Sequence, residues 1–145
     1  MATTKATTKQ LTAVLGAVPL FEGLTKKQLR KVTDLADVGR FMAGARLVKQ
    51  GDIGDSFYVV LTGQAKVLVS GRTVNRLLPG EHFGEISLLD GKPRTASVVA
   101  ETEMTLVIIT QKDFLGLLAK DPEITLCLLE GMARTVRRLD RSLAG

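Results

Sequence analysis

Phe83-Gly84-Glu85-Ile86-Ser87-Leu88-Leu89-Asp90-Gly91-Lys92-Pro93-Arg94-Thr95-Ala96-Ser97-Val98 is the stretch around which the rest of the chain falls into order. Gly84 has no side chain, which suits a place where a ligand must come close to the backbone. Residues 85–90 read as one short helical turn whose first N–H groups lack intrahelical partners. Such a start favours an anion, through free donors and the macrodipole. Asp90-Gly91-Lys92-Pro93 reads as a turn, and it returns Arg94 toward the same anion on a strand starting near Thr95. A guanidinium fork holds two phosphate oxygens at once. Glu85 would be repelled by phosphate, and accepting hydrogen bonds from a sugar hydroxyl gives it a compatible task. A helix start, an arginine and a carboxylate turned aside describe a site for a sugar phosphate.

Outward from this stretch, hydrophobic period and punctuation set the architecture. From Val38 to Ile109 the period is two, as a β-roll or barrel requires. The expected strands are Val38–Phe41, Arg46–Lys49, Ser56–Leu61, Gln64–Val69, Arg72–Leu77, Thr95–Val99 and Met104–Ile109. Gly44, Gly51, Gly54, Gly63 and Gly80 fall between them, and Ser70-Gly71 is a two-residue hairpin signal. Before the strands, residues 1–8 read as a flexible tail and Gln10–Ala17 as a short helix broken by Pro19. Thr25-Lys26-Lys27-Gln28 has capping-box spacing, with Leu24 and Leu29 as a hydrophobic staple. After the strands, Thr110-Gln111-Lys112-Asp113 starts another helix in the same way, and Asp121-Pro122 caps a last one reaching Leu143. Leu129, Met132, Val136, Leu139 and Leu143 recur at spacings of 3, 4, 3 and 4, a heptad seam.

At the opening stretch the chain resembles the cyclic-nucleotide-binding domain family, whose phosphate-binding cassette reads F-G-E-[LI]-[AS]-L-L…P-R-[TSA]-A. The glycine pattern, with Gln50-Gly51-Asp52 and Leu61-Thr62-Gly63, extends the likeness over roughly residues 18 to 143. The family includes regulatory subunits of protein kinase A, the sensor domain of the catabolite activator protein and cyclic-nucleotide-gated channel domains. The resemblance implies a mainly β chain with flanking helices (α+β), an eight-stranded β-roll or jelly roll. It divides residues 9–145, one domain, into an N-terminal helical segment (10–37), the roll (38–109) and C-terminal lid helices (110–143). It also assigns ligand-binding roles to Phe83, Gly84, Glu85, Ile86, Ser87, Arg94, Thr95 and Ala96. Gly84 and Ser87 would offer backbone amides, Glu85 would hold the ribose 2′-hydroxyl and Arg94 the cyclic phosphate. Thr95 and Ala96 would line the phosphate and base side. Leu129, Met132 and Val136 would supply the lid over the base. The ligand implied is cAMP, with cGMP kept open by the Thr95 hydroxyl. No cofactor is implied beyond that ligand, and the C-terminal helix is the expected contact for a homodimer or an effector protein.

Composition narrows the alternatives. The 145 residues suffice for a substantial core, and 45% hydrophobic with 24% charged residues is a globular balance. No apolar run approaches a membrane span, and residues 1–9 are too polar for the apolar core of a signal segment. The single cysteine, Cys127, forms no internal disulfide and suits a reducing compartment, which makes the cytoplasm the expected location. The net charge of +5 resides at the ends: six Lys/Arg against one Glu in residues 1–31, and four Arg against one Asp in residues 131–145. The span between holds 10 basic and 13 acidic residues. Together with the absence of Trp, this gives no platform for nucleic acid. A cupin-type enzyme would need several imidazoles, and His82 is the only histidine, expected beside the cassette turn. Cys127 reads as core, not as a nucleophile. The expectation is therefore a non-enzymatic sensor. It stands beside three others: a regulatory piece of a larger channel, kinase or transcription factor, a cupin-like enzyme, and a degenerate scaffold in which Glu85 and Arg94 only pair with each other.

Overall fold

The glycine-punctuated middle of the chain forms two antiparallel sheets in a computed structural model that describes residues 2–3, 7–84 and 89–144. The strands are β1 (Ala2–Thr3), β2 (Asp37–Phe41), β3 (Arg46–Val48), β4 (Ser56–Thr62), β5 (Ala65–Val69), β6 (Arg72–Leu77), β7 (His82–Phe83), β8 (Ser97–Ala100) and β9 (Met104–Thr110). The sheet orders are β1-β2-β9-β4-β7 and β3-β8-β5-β6. Among the described residues, eight strands, β2–β9, thus make the roll expected from the sequence. β1 is a two-residue addition that pairs with β2 through Ala2–Arg40 and Thr3–Gly39. Within the span read as a tail, residues 2–3 thus form a strand, and α1 (Thr8–Gly16) starts ahead of Gln10 because Thr7 and Gln10 close a capping box.

Local chemistry accounts for most of the boundaries. Ser70 and Gly71 both have positive φ, 51° and 80°, the twist a two-residue hairpin between β5 and β6 demands. Thr25 and Gln28 close the expected box at the head of α2 (Lys26–Thr33). Thr110 accepts from Asp113 N at 3.3 Å to start α3 (Gln111–Lys120), and Asp121 Oδ1 accepts from Ile124 N at 3.1 Å to start α4 (Pro122–Ala144). A 3-10 turn, Pro19–Phe21, fills the break after α1.

Two cores share the strands β4 and β9. Phe57, Val59, Val107 and Ile109 pack outward against Leu15, Phe21, Val32, Phe114 and Ile124 of the helical layer. Val60, Met104 and Leu106 join Ala65, Leu77, Val98 and Ala100 inside the roll. A strand buried on both faces reads as a continuous apolar run, which is what Phe57-Tyr58-Val59-Val60-Leu61 shows. Phe21 fixes the helical layer in place, with ring centroids 6.0 Å from both Phe57 and Phe114.

Candidate functional site

Two loops meet where the second sheet gives way to the first. Arg94 N donates to Asp52 O at 2.7 Å, Gly51 N donates to Arg94 O at 2.9 Å, and Gly54 N donates to Lys92 O at 3.3 Å. The Gly51–Gly54 turn therefore clamps the Lys92–Arg94 segment, and a single bridge joins Ile53 to Pro93. This clamp draws Arg94 out of the ladder, so β8 begins at Ser97 and not near Thr95. Upstream, Asp90 Oδ1 accepts from Lys92 N at 3.0 Å, which closes the expected turn.

The clamp delivers the Arg94 side chain into the roll, where it is only 9% exposed. Its Nη2 donates to Ser56 O at 2.7 Å. Its Cζ stands 5.9 Å from the centroid of the Tyr58 ring, which itself stacks on Phe83 at 4.7 Å and 15°. Burial raises the phenol pKa of Tyr58, while the Arg94 charge and the Ser56 side chain oppose that rise. Among the described residues no carboxylate pairs with Arg94. Gly84 faces the guanidinium with φ +87°. A Cβ there would run into Arg94 Nη1 and would lie 2.8 Å from Ser56 O. The close approach that makes Gly84 necessary thus comes from the protein's own arginine and backbone, where the sequence had suggested a ligand.

A cavity of about 600 Å³ opens in front of these groups. It is lined by the polar residues Asp90, Lys92, Arg94 and Thr95 and by the apolar residues Val48, Val67, Leu77 and Val98, among others. Phe83, Gly84, Arg94, Thr95 and Ala96 of the expected set all line it, and so does His82, whose ring lies 5.7 Å from that of Phe57. Glu85, Ile86 and Ser87 lie outside the described residues. The three lid residues are not brought to the cavity. Leu129, Met132 and Val136 are exposed on α4, and the latter two border a separate groove of about 260 Å³ with Pro19, Leu20 and Leu89. Ser56, Tyr58 and Lys92 were missed from the sequence. Ser56 and Tyr58 stand two apart on β4, a spacing that puts two residues on one face, but nothing local marks that face as the one meeting Arg94.

Elsewhere, Cys127 is half-buried and accepts from Gln28 Nε2 at 3.6 Å, which joins α4 to α2. Among the described residues no group of three His, Cys, Asp or Glu could hold a metal ion, and no helix is long and apolar enough to cross a membrane.

Comparisons with known proteins agree with this geometry. The cyclic nucleotide-binding domain model matches residues 38–121. The cAMP-dependent protein kinase regulatory subunit of Emericella nidulans is 39% identical over 108 residues, 73% of this chain and 26% of that protein. The cGMP-dependent protein kinase of Toxoplasma gondii is 39% identical over 101 residues, 70% of this chain and 10% of that protein. The chain thus spans about a quarter or less of the length of these relatives. Among solved structures, the N-terminal domain of a transcriptional regulator from Streptomyces coelicolor A3(2) superposes with a TM-score of 0.80 at 33% identity, covering 90% of this chain and 94% of that one. The catabolite activator protein of Thermus thermophilus gives 0.65, also at 33% identity, over 87% of this chain and 62% of that one. With a matched model over more than half its length, the chain belongs to the cyclic nucleotide-binding domain family.

Proposed function

We propose that the chain is a non-enzymatic sensor that binds cAMP in the roll and passes the event on through its C-terminal helix. The observation that carries this is the buried Arg94. A desolvated charge is costly unless paired, and an arginine facing a cavity of about 600 Å³ is repaid by an anion inside it. Arg94 takes the cyclic phosphate and the amides of Gly84 and Ser87 assist it. Glu85 takes the ribose 2′-hydroxyl, and the apolar lining of Val48, Val67, Leu77 and Val98 receives the base. Thr95 lines the cavity, where its hydroxyl offers a partner to a guanine 2-amino group, so cGMP is the second ligand.

Leu129, Met132 and Val136 reach the base only if α4 moves, and a ligand drives that movement only by its differential affinity for the closed arrangement. The far end of the same helix suits assembly. Written as a heptad, the seam has Ala133, Thr135, Asp140 and Ser142 flanking it, while Arg134, Arg137, Arg138 and Arg141 lie on the opposite side. That arrangement favours a second copy or an effector helix. A reducing, cytoplasmic setting accommodates the half-buried thiol of Cys127.

Thermal melts with cAMP, cGMP and 2′-deoxy-cAMP test the reading. A rise in melting temperature with cAMP supports it, and no shift with either ribose nucleotide at millimolar concentration sinks it. Glu85→Ala should weaken cAMP more than the 2′-deoxy analogue. Equal losses remove Glu85 from the ribose.

A further inference from the structure

We infer that Tyr58 is a positioning residue for Arg94, holding the guanidinium where it meets the ligand's phosphate. The inference rests on the cyclic-nucleotide reading of the cavity. Tyr58 is not among the cavity-lining residues, and the influence inferred for it passes through a neighbouring group. That group is Arg94, whose Cζ lies 5.9 Å from the ring centroid, within cation–π range.

The ring is itself held from two sides. Tyr58 and Phe83 are register partners across β4 and β7, and their stacking at 4.7 Å fixes the plane that Arg94 meets. Ser56, two residues along the same strand, offers its carbonyl to Arg94 Nη2. One strand thus supplies a plane and an acceptor to a single guanidinium. Gly84 lies beside Nη1 and leaves no room there for a side chain. A long flexible arginine held in this way loses little further rotamer freedom when phosphate arrives, which is the gain from preorganisation.

Calorimetric titration of cAMP into the wild-type chain, Tyr58→Leu, Tyr58→Phe, Arg94→Ala and the Arg94→Ala/Tyr58→Leu pair tests this. Tyr58→Leu should weaken binding by about threefold to thirtyfold. Tyr58→Phe keeps the π face and should recover most of that loss. In the Arg94→Ala background Tyr58→Leu should change affinity less than about twofold, because the group it acts through is gone. If Tyr58→Leu binds as wild type does, or costs the same factor with and without Arg94, the inference falls while the site assignment stands. If the wild-type chain does not bind cAMP, both fall. Should Tyr58→Leu lose its cooperative melt, the wild-type fold carries the test. Tyr58 is the sole tyrosine, so its ring-proton resonances can be followed during cAMP titration. They should move in wild type and stay in Arg94→Ala, and rings unmoved in wild type at saturation overturn the inference.

Discussion

Arg94 is a charge that is 9% exposed, and Leu139 is an apolar side chain that is 60% exposed. Each reverses the usual relation between polarity and burial, but they do so in different settings. Around Arg94 the protein has already built a carbonyl at 2.7 Å, an aromatic plane and a glycine with no room for a methyl group. Around Leu139 there is a stripe of like residues and solvent. The energetic scales differ as well. Stranding a buried charge costs several kcal/mol, whereas leaving one leucine uncovered forgoes about 1.5–3 kcal/mol. The first charge is held by built contacts, and the second side chain belongs to a bare apolar stripe.

The strongest way to break the contrast is Arg94→Ala. Loss of a charge-assisted contact in a shielded pocket should lower cAMP affinity at least about tenfold, or roughly 1.5–3 kcal/mol. The fold should persist, because the clamp that holds this loop uses the Arg94 backbone. Calorimetry beside a thermal melt reads both. Gly84→Ala comes next. A left-handed φ of +87° costs an L-residue about 1–2 kcal/mol, and the added methyl displaces the guanidinium. Melting temperature and affinity should therefore fall together, and an unchanged affinity would mean that the Arg94 position tolerates displacement.

The helix face sharpens the contrast from the other side. Truncation after Leu128 should weaken cAMP binding if α4 is the lid, and a truncated chain that binds as tightly as the full one assigns α4 to assembly alone. Leu139→Asp with Leu143→Asp should leave affinity unchanged and alter stability by no more than about 1 kcal/mol. It should also abolish any dimer seen by sedimentation. A dimer that survives places the interface elsewhere.

How much of this could be read from the sequence depended on how local the cause was. Arg72–Leu77 and the Ser70-Gly71 hairpin were legible, because turn chemistry fixes where the second strand starts. So was the place of Arg94 against the cavity, which a motif of fixed spacing marked. His82–Phe83 was not, since two residues show no period. Tyr58 was illegible for another reason. It sits in a run buried on both faces, and only the pairing of β4 with β7 and the clamp on Arg94 bring ring and guanidinium together. The reason for Gly84 was equally hidden, because its crowding neighbours come from β4 and from beyond the cassette turn.

The smallest expected effect lies in the joint between the two regions' supports. The Lys31 side chain, hydrogen-bonded at 2.7 Å, and then the Ile124 backbone N–H hold the Asp121 carboxyl below its ordinary value. A lowered carboxylate contributes stability above its unfolded pKa and loses it as pH falls through the folded value. Acid melts should therefore show a drop below about pH 3.8 that Asp121→Asn lacks. Parallel curves for the two proteins would show that this cap does not couple to folding.

The most direct measurement is a crystal structure with cAMP. The account predicts the cyclic phosphate inside the roll with its oxygens within hydrogen-bonding distance of the Arg94 guanidinium, which still rests on Ser56 O and Tyr58. A nucleotide bound with its phosphate away from Arg94, or crystals grown at millimolar cAMP with no nucleotide in the roll, would contradict it.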